Sequence, residues 1–462
     1  MCFLCSNHDR EDRMSDRNGI LDRIRTAGVI GAGGAGFPTY RKLGTRVEHI
    51  IANGAECEPL LYKDRESMIQ EAETLIEGLC IMREITGAGS VTIAVKKKNE
   101  DVLGKLRELA APHDFKFLVY PDVYPAGDEY VLVQEIAKKM IPPGGLPLDV
   151  GCVVDNVETV INVAHAAANR PVTEKYVTVT GEVKTPITTR VPVGTSLRDC
   201  IDMAGGLTVD NPVVLTGGVM MGGWSGDLSS VIEKNIGGLI VLPADHHLVR
   251  RKTASRQTYT RVSHGQCDQC SLCTELCPRY IMGYPIEPHR VMRTLLMTGE
   301  AKARNSMWAQ YCCECNVCSL IACPESLDPK NICVDAKALL REEGISRTPE
   351  ELETLRRGEH PARKGREIPI STLYTRLGLR PYDRKAPFSL SKAAPTSVTI
   401  PLGSHVGRRC EPTVKPGFKV SRGETVGSVP DDQLGCPVHA SIDGTVTAID
   451  EKGIHISGTP PP

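Results

Sequence analysis

Two runs of cysteine constrain this chain more than any other feature. The first reads Cys267-x-x-Cys270-x-x-Cys273-x-x-x-Cys277-Pro278, and the second Cys312-x-x-Cys315-x-x-Cys318-x-x-x-x-Cys323-Pro324. The first spacing is the one by which bacterial ferredoxins hold iron–sulfur clusters through thiolates. The second is the same spacing with one extra residue before its last cysteine. Zinc also binds C-x-x-C pairs, but usually as two pairs separated by a longer loop. Eight thiolates in this order supply four ligands each to two [4Fe–4S] clusters. In two-cluster ferredoxins the fourth cysteine of each run ligates the other cluster. That rule places Cys267, Cys270, Cys273 and Cys323 on one cluster and Cys312, Cys315, Cys318 and Cys277 on the second. Cys313 is left without an assigned role. Such clusters move single electrons, so the chain reads as a redox conduit.

The length of 462 residues points to roughly three or four domains. A formal net charge of -1 gives no electrostatic reason to expect nucleic acid or anionic lipid as a partner. No apolar run approaches the roughly 18–20 residues that span a bilayer, so direct membrane insertion is not expected. The charged stretch Met1 to Arg17 does not read as a signal peptide. Of the 18 cysteines, those outside the two runs are scattered, which fits a reducing cytoplasm better than a disulfide scaffold. Cys2 and Cys5 form a C-x-x-C with no partner pair nearby. They read as part of a disordered extension, and Met14 could be the true start.

Along the chain the pattern divides into an extension (1–18), an α/β domain (19–170), a β-grasp module (171–249), the cysteine-rich domain (250–345), a charged linker with one helical piece (346–394) and a small all-β unit (395–458). In the first domain, apolar strands Val47–Ala52, Val91–Val95, Phe115–Tyr120 and Gly151–Val154 alternate with helical patterns at Met68–Ile85 and Glu129–Met140. Such alternation predicts a largely parallel sheet. Tyr176–Thr180 and Thr188–Val193 read as strands and Leu197–Ala204 as a helix. Gly217–Gly226 reads as a glycine-rich loop. The last unit is short strands punctuated by glycine turns.

A second chemical signal is Gly31-Ala-Gly33-Gly34-Ala-Gly36-Phe37-Pro38. It contains G-x-G-x-x-G, but a helix rather than a strand precedes it, so the ordinary dinucleotide fingerprint does not apply. Glycines still let backbone N–H groups approach an anion closely. The alternative is a mobile loop with no ligand. Lys42 follows shortly and could pair with a phosphate. Asn53-Gly-Ala-Glu56-Cys-Glu58-Pro59, Tyr124-Pro-Ala-Gly-Asp128-Glu129 and Asp155-Asn156-Val-Glu-Thr159 each sit at a strand exit or helix start. Binding loops of α/β folds occupy those places. Lone histidines such as His165, His264 and His289, and the His246-His247 pair, lack partners at ligand spacing and read as surface or core residues.

These segments resemble the flavin-binding subunit of respiratory complex I, in which a Rossmann-like FMN domain is followed by an SLBB β-grasp domain. Two relatives of that family add a two-cluster ferredoxin-like helical domain and a barrel-sandwich hybrid. They are the RnfC component of the Rnf electron-transport complex and the cobalamin reductase of propanediol-utilisation microcompartments. The Rnf component carries its sandwich at the N-terminus, whereas this chain carries it at the C-terminus, as the microcompartment family does. Tyr120–Glu129 and Glu314–Cys318 are also similar to that family.

The resemblance implies an NADH-dependent oxidoreductase passing electrons from NADH to FMN, then to two [4Fe–4S] clusters, then to a cob(III)alamin or cob(II)alamin. The alternatives it leaves are an electron-transfer protein of a glycyl-radical microcompartment and an Rnf component. By motif, Gly31, Gly33, Gly34 and Gly36 would hold the FMN phosphate, with Lys42 adding charge. Asn53, Asn156 and Thr159 would contact the flavin or ribityl chain. Glu56 and Glu58 would line the crevice, as would Tyr124 and Asp128. Phe37 would stack near the nicotinamide, and Glu129 would help place NADH. Two positions depart from the complex I pattern: Ala32 replaces an arginine and Asp155 an asparagine. The sandwich resembles carrier domains, but its tip, Pro430–Pro437, has no modifiable lysine. Implied partners are a corrinoid enzyme system and microcompartment shell or lumen proteins, in the cytoplasm.

Overall fold

The protein is described from a computed structural model over residues 7–390 and 395–458, with side chains from Arg17 onward. Cys2 and Cys5 lie outside the described residues. Helix α1 (Asn7–Thr26) runs through the stretch read as an extension. After the glycine loop come α2 (Thr39–Leu43) and β1 (His49–Gly54). The single helix expected over Met68–Ile85 is two, α3 (Lys63–Gln70) and α4 (Ala72–Thr86), broken where Glu71 leaves helical geometry at φ -124°. Then follow β2 (Ser90–Lys96), α5 (Leu103–Ala110), β3 (Lys116–Tyr120), the short β4 (Val123–Tyr124), α6 (Glu129–Ala137), β5 (Cys152–Asn156) and α7 (Val157–Ala167).

The first sheet has the order β3-β2-β1-β5, and every pairing in it is parallel. Parallel strands are covered on both faces, which is why they read as near-continuous Val and Ile runs. The chain passes from β3 to the far side of β1 to lay down β5. The strand order therefore switches between β1 and β5, and ligands of such folds bind beside the carboxyl ends at that point. Asn53 and Asn156 are register partners there. Gly78 lets α4 lie directly on α7: a Cβ at that position would stand 2.3 Å from the Val160 carbonyl oxygen.

A second sheet follows, built from β6 (Glu174–Gly181), β7 (Ile187–Pro192), β8 (Pro212–Thr216), β9 (Gly223–Ser225) and β10 (Gly238–Pro243), with α8 (Leu197–Met203) packed on it. Its order is β7-β6-β10-β8-β9. Part of the expected glycine loop is thus strand: Gly223 and Trp224 pair with Thr216 and Leu215. The cysteine-rich domain is short helices around apolar side chains such as Val291, Met292, Trp308 and Ile332.

The segment read as a linker is a strap whose apolar side chains join a core shared with the neighbouring domains, among them Leu60, Leu215 and Val317. Ile368–Pro369 pairs antiparallel with β4, and Thr188 of β7 donates its N–H to the Pro387 carbonyl at 3.0 Å. Ile368, Ile370, Leu373, Leu377 and Leu379 are buried. Its charges, which read as a solvated stretch, pair with other domains: Arg363 with Glu135 at 2.8 Å, Arg366 with Glu275 at 2.7 Å. Beyond it, two small antiparallel sheets of four and three strands form the C-terminal sandwich.

Candidate functional site

The two cysteine runs fold alike. Gln269 and Ser271 flank Cys270, Glu314 and Asn316 flank Cys315, and all four have left-handed φ between 56° and 68°. Side chains seldom adopt that conformation without a local reason. The shared pattern aligns Cys267 with Cys312 rather than with Cys313. The extra residue of the second run is taken up by a single π-helical turn, Cys318–Ala322, closed by Cys323 N–H to the Cys318 carbonyl at 3.2 Å. Such one-turn insertions are common at functional sites.

The thiols fall into two groups. Cys267, Cys270, Cys273 and Cys323 line one hollow together. Cys277 has Cys312 and Cys313 as charge neighbours, and Cys318 has Cys312, Cys277 and, from the other group, Cys273. Cys315 neighbours Cys313, then Cys277 and Cys318. The groups thus exchange their fourth members, as a two-cluster fold requires. Among the described residues no three His, Cys, Asp or Glu side chains stand close enough to share one ion. The ligands of a [4Fe–4S] cluster sit on separate irons, so wider spacing suits it. Burial, then the neighbouring thiols, push Cys273 up to about 12. Iron binding must therefore displace its proton, as it does for coordinated thiols. Sequence reasoning missed Cys333, a fully buried thiol beside Cys312.

At the switch point the glycine loop is closed by Gly31 N–H to Phe37 O at 3.0 Å and Thr39 N–H to Val29 O at 3.1 Å. Its tip, Gly33 to Ala35, is exposed, and Phe37 is half-buried beside it. A Cβ on Gly33 would meet the Asn156 side chain at 3.1 Å, whereas one on Gly34 would meet nothing within 4 Å. Thr159, fully buried, accepts the Ala32 N–H at 2.9 Å and so fixes the loop on α7. Asn156 caps α7 through Glu158 N–H at 3.0 Å, and its amide reaches both Asp64 oxygens at 3.0 Å. Asn53 donates to Gly127 O at 2.9 Å, which joins β1 to the loop before α6. Lys42 bonds Asp155 at 2.8 Å. Burial opposes the Lys42 charge, but Asp155 and then Glu129 outweigh it and leave its pKa raised. Burial also raises Glu129, against the pull of Lys42. Burial and then Asp64 push Glu56 up to about 7.

Other residues singled out from the sequence face elsewhere. Gly36, at φ 72°, packs on the sandwich: a Cβ would lie 2.8 Å from Ser404 O, and Val406 N–H bonds its carbonyl at 3.1 Å. The Glu58 carboxylate accepts the N–H groups of Met220 and Met221, each at 2.8 Å. Tyr124 donates its hydroxyl to Cys315 O at 2.8 Å, and Asp128 accepts from Arg279 at 2.9 Å. A buried ionic group was missed altogether: Lys63 and Lys175 converge on Glu158, and Lys63 also pairs with Asp64. Lys175 ends on the Ala32 carbonyl at 2.7 Å, beside the position where complex I carries arginine. The available signal was Lys175 at the head of the buried β6 run Tyr176–Gly181; α3, polar over most of its length, gave none.

The chain matches the Nuo51 FMN-binding domain over residues 24–165, the SLBB domain over 176–222, a 4Fe-4S dicluster domain over 266–328 and the RnfC barrel sandwich hybrid domain over 377–459. It is 40% identical over 438 residues to the cobalamin reductase PduS of Salmonella typhimurium strain LT2, covering 95% of this chain and 96% of that protein. The chain belongs to the cobalamin reductase PduS family. The Citrobacter freundii member is likewise 40% identical, over 96% of this chain and 98% of its own. A component of the proton-translocating ferredoxin:NAD(+) oxidoreductase complex of Clostridium ljungdahlii is 29% identical, over 57% of this chain and 56% of its own. A NAD+-reducing [NiFe]-hydrogenase in the H2-reduced state gives a TM-score of 0.49 at 20% identity, covering 73% of this chain and 64% of that one. The resemblance and fold class read from the motifs are borne out. Among the described residues no helix is long and apolar enough to cross a membrane.

Proposed function

We propose that this chain oxidises NADH at an FMN held between β1 and β5 and delivers the electrons, through clusters on its two thiol groups, to a corrinoid. The observation that carries the reading is the register pair Asn53 and Asn156 at the switch point, with the bare tip of the glycine loop seated against Asn156. Bound FMN supplies hydride acceptance and single-electron release, and iron–sulfur clusters supply one-electron conduction.

The chain's own residues position and shield these groups. The N–H groups of Gly33, Gly34 and Ala35, free of backbone partners among the described residues, would take the phosphate. Glycine at 33 and 34 keeps the loop's own side chains out of the way there. Asn53 and Asn156 are held by Gly127 and Asp64 with amide geometry already set. Binding therefore orders no loose side chain. Lys42, Asp155 and Glu129 form a linked charge group next to Asn156. Eight cysteines are assigned as ligands: Cys267, Cys270, Cys273 and Cys323 on one cluster, Cys277, Cys312, Cys315 and Cys318 on the other. The corrinoid acceptor rests on kinship with the PduS family, and association with a microcompartment rests on the same kinship.

The test is anaerobic reconstitution with iron, sulfide and FMN, then titration with NADH and addition of cob(III)alamin. NADH should bleach flavin and cluster absorbance, and cob(III)alamin should restore it with appearance of the cob(II)alamin spectrum. A protein that takes up iron but no flavin would overturn the NADH-oxidising role. Bleaching that cob(III)alamin cannot reverse would overturn the acceptor.

A further inference from the structure

The two thiol groups stand in different electrostatic surroundings. The residue two places after the last cysteine of each run makes the contrast: Arg279 after Cys277, Glu325 after Cys323. Glu325 is exposed, whereas Arg279 is 7% exposed. The Arg279 guanidinium donates to Asp128 at 2.9 Å and lies 3.3 Å from the centroid of the Tyr130 ring. Its Nε and Nη1 are buried with no hydrogen-bond partner, and the Cys313 thiol sits beside them.

A buried guanidinium with three of its five N–H groups idle is costly. One carboxylate at the start of α6 does not use them. Four thiolates around a [4Fe–4S] core make a net anion, and its potential responds to local charge and to hydrogen bonds at sulfur. The idle donors are therefore on the side where that anion would lie. Reduction adds negative charge, so a nearby cation favours the reduced state.

We propose that Arg279 is a positioning residue for the cluster of Cys277, Cys312, Cys315 and Cys318: it ties the Asp128 loop of the flavin crevice to that cluster's wall and raises its potential above that of the cluster near Glu325. This rests on the assignment of the cysteines as cluster ligands.

The test is an EPR-monitored redox titration of the reconstituted full chain, comparing wild type with R279Q, R279K and D128N. In R279Q one midpoint should fall by about 59 mV, tenfold in a one-electron equilibrium, while the other holds. R279K, which keeps the charge, should recover part of it. D128N removes the competing anion, keeps the helix cap, and should move the same midpoint upward. Opposite signs separate an electrostatic role from loosened packing, which would shift both variants the same way. Should R279Q fail to take up iron, D128N alone decides. An unmoved or falling midpoint in D128N, or equal shifts of both clusters in R279Q, overturns the proposal. Wild type lacking two cluster signals would instead overturn the ligand assignment.

Discussion

Replacing Glu58 by glutamine isolates the joint between the flavin crevice and the glycine loop that leads to the clusters. Glu58 is 8% exposed. Each of its oxygens accepts one N–H, from Met220 and from Met221, both at 2.8 Å. The loop is gripped from its other side by Lys252, which donates to Val219, Met220 and Gly222 carbonyls at 2.7 to 3.3 Å. Glutamine is isosteric but offers one acceptor oxygen and one NH2. One backbone N–H then faces a donor, and a hydrogen bond to a charged group, about 1.5–3 kcal/mol, is lost. Local opening should become about ten- to a hundredfold more frequent. Hydrogen exchange read residue by residue would show it as faster exchange at Met220 and Met221, with the β10 amides unchanged. Unchanged exchange at both methionines would refute the reasoning, since the carboxylate would then not be what holds the loop. Gly218→Ala should act on the same joint, because a Cβ there would stand 2.4 Å from the Glu58 carboxyl carbon at a φ of 149°.

Gly34→Ala should leave the melting temperature of the flavin-free protein unchanged, since its Cβ meets nothing within 4 Å, yet lower the flavin retained after gel filtration. Equal flavin content would remove the phosphate from that loop. Glu158→Ala should cost about 3–5 kcal/mol in urea unfolding, the range for stranding buried partners of an ion pair, because it leaves Lys63 and Lys175 without their shared carboxylate. A loss under about 1 kcal/mol would show that the lysines re-pair. Lys234 is 5% exposed, and burial lowers its pKa to about 8. Between pH 8 and its ordinary 10.5 the unfolded chain holds a proton that the folded one has lost, so stability rises with pH there. Wild type should therefore gain about 1–3 kcal/mol on Lys234→Met between pH 7 and 10, and a constant difference would contradict the lowered pKa.

What the sequence disclosed follows from distance along the chain. The cysteine runs were legible because the assigned ligands sit at short steps within their own run, and only the exchange of Cys277 and Cys323 is non-local. The strands were legible because burial on both faces leaves runs such as Ile50–Ala52 and Val91–Val95 with little polar interruption. The crevice was half legible. Asn53 and Asn156 stood out at strand ends, but nothing local marks Glu58 as facing a loop 162 residues away. The strap was misread for a related reason. Its charges resemble a solvated linker until their partners, Glu135 and Glu275, are brought in from other domains. The break at Glu71 was hidden because apolar spacing continues through it, while the helix direction does not.

The convergence of these missed contacts has a consequence for how the domains act together. Tyr124 from the crevice loop, Arg279 from the cysteine run and Asn316, whose amide reaches Met220 O at 3.1 Å, all meet around the Cys277 thiol group. The Cys270 side has an exposed cysteine and a hollow rimmed by Asp268 and Glu325. Two of these joints tie that group to the crevice loop directly and the third through the loop that Glu58 holds, so loosening any one leaves two. The strap adds a fourth restraint by pairing with β4, the strand that carries Tyr124. Such redundancy suits the contact between two electron carriers, where transfer falls steeply with separation. An open rim suits the contact with an acceptor that must arrive and leave. The asymmetry of packing around two otherwise equivalent cysteine loops thus assigns them different neighbours: the flavin domain for one, solvent for the other.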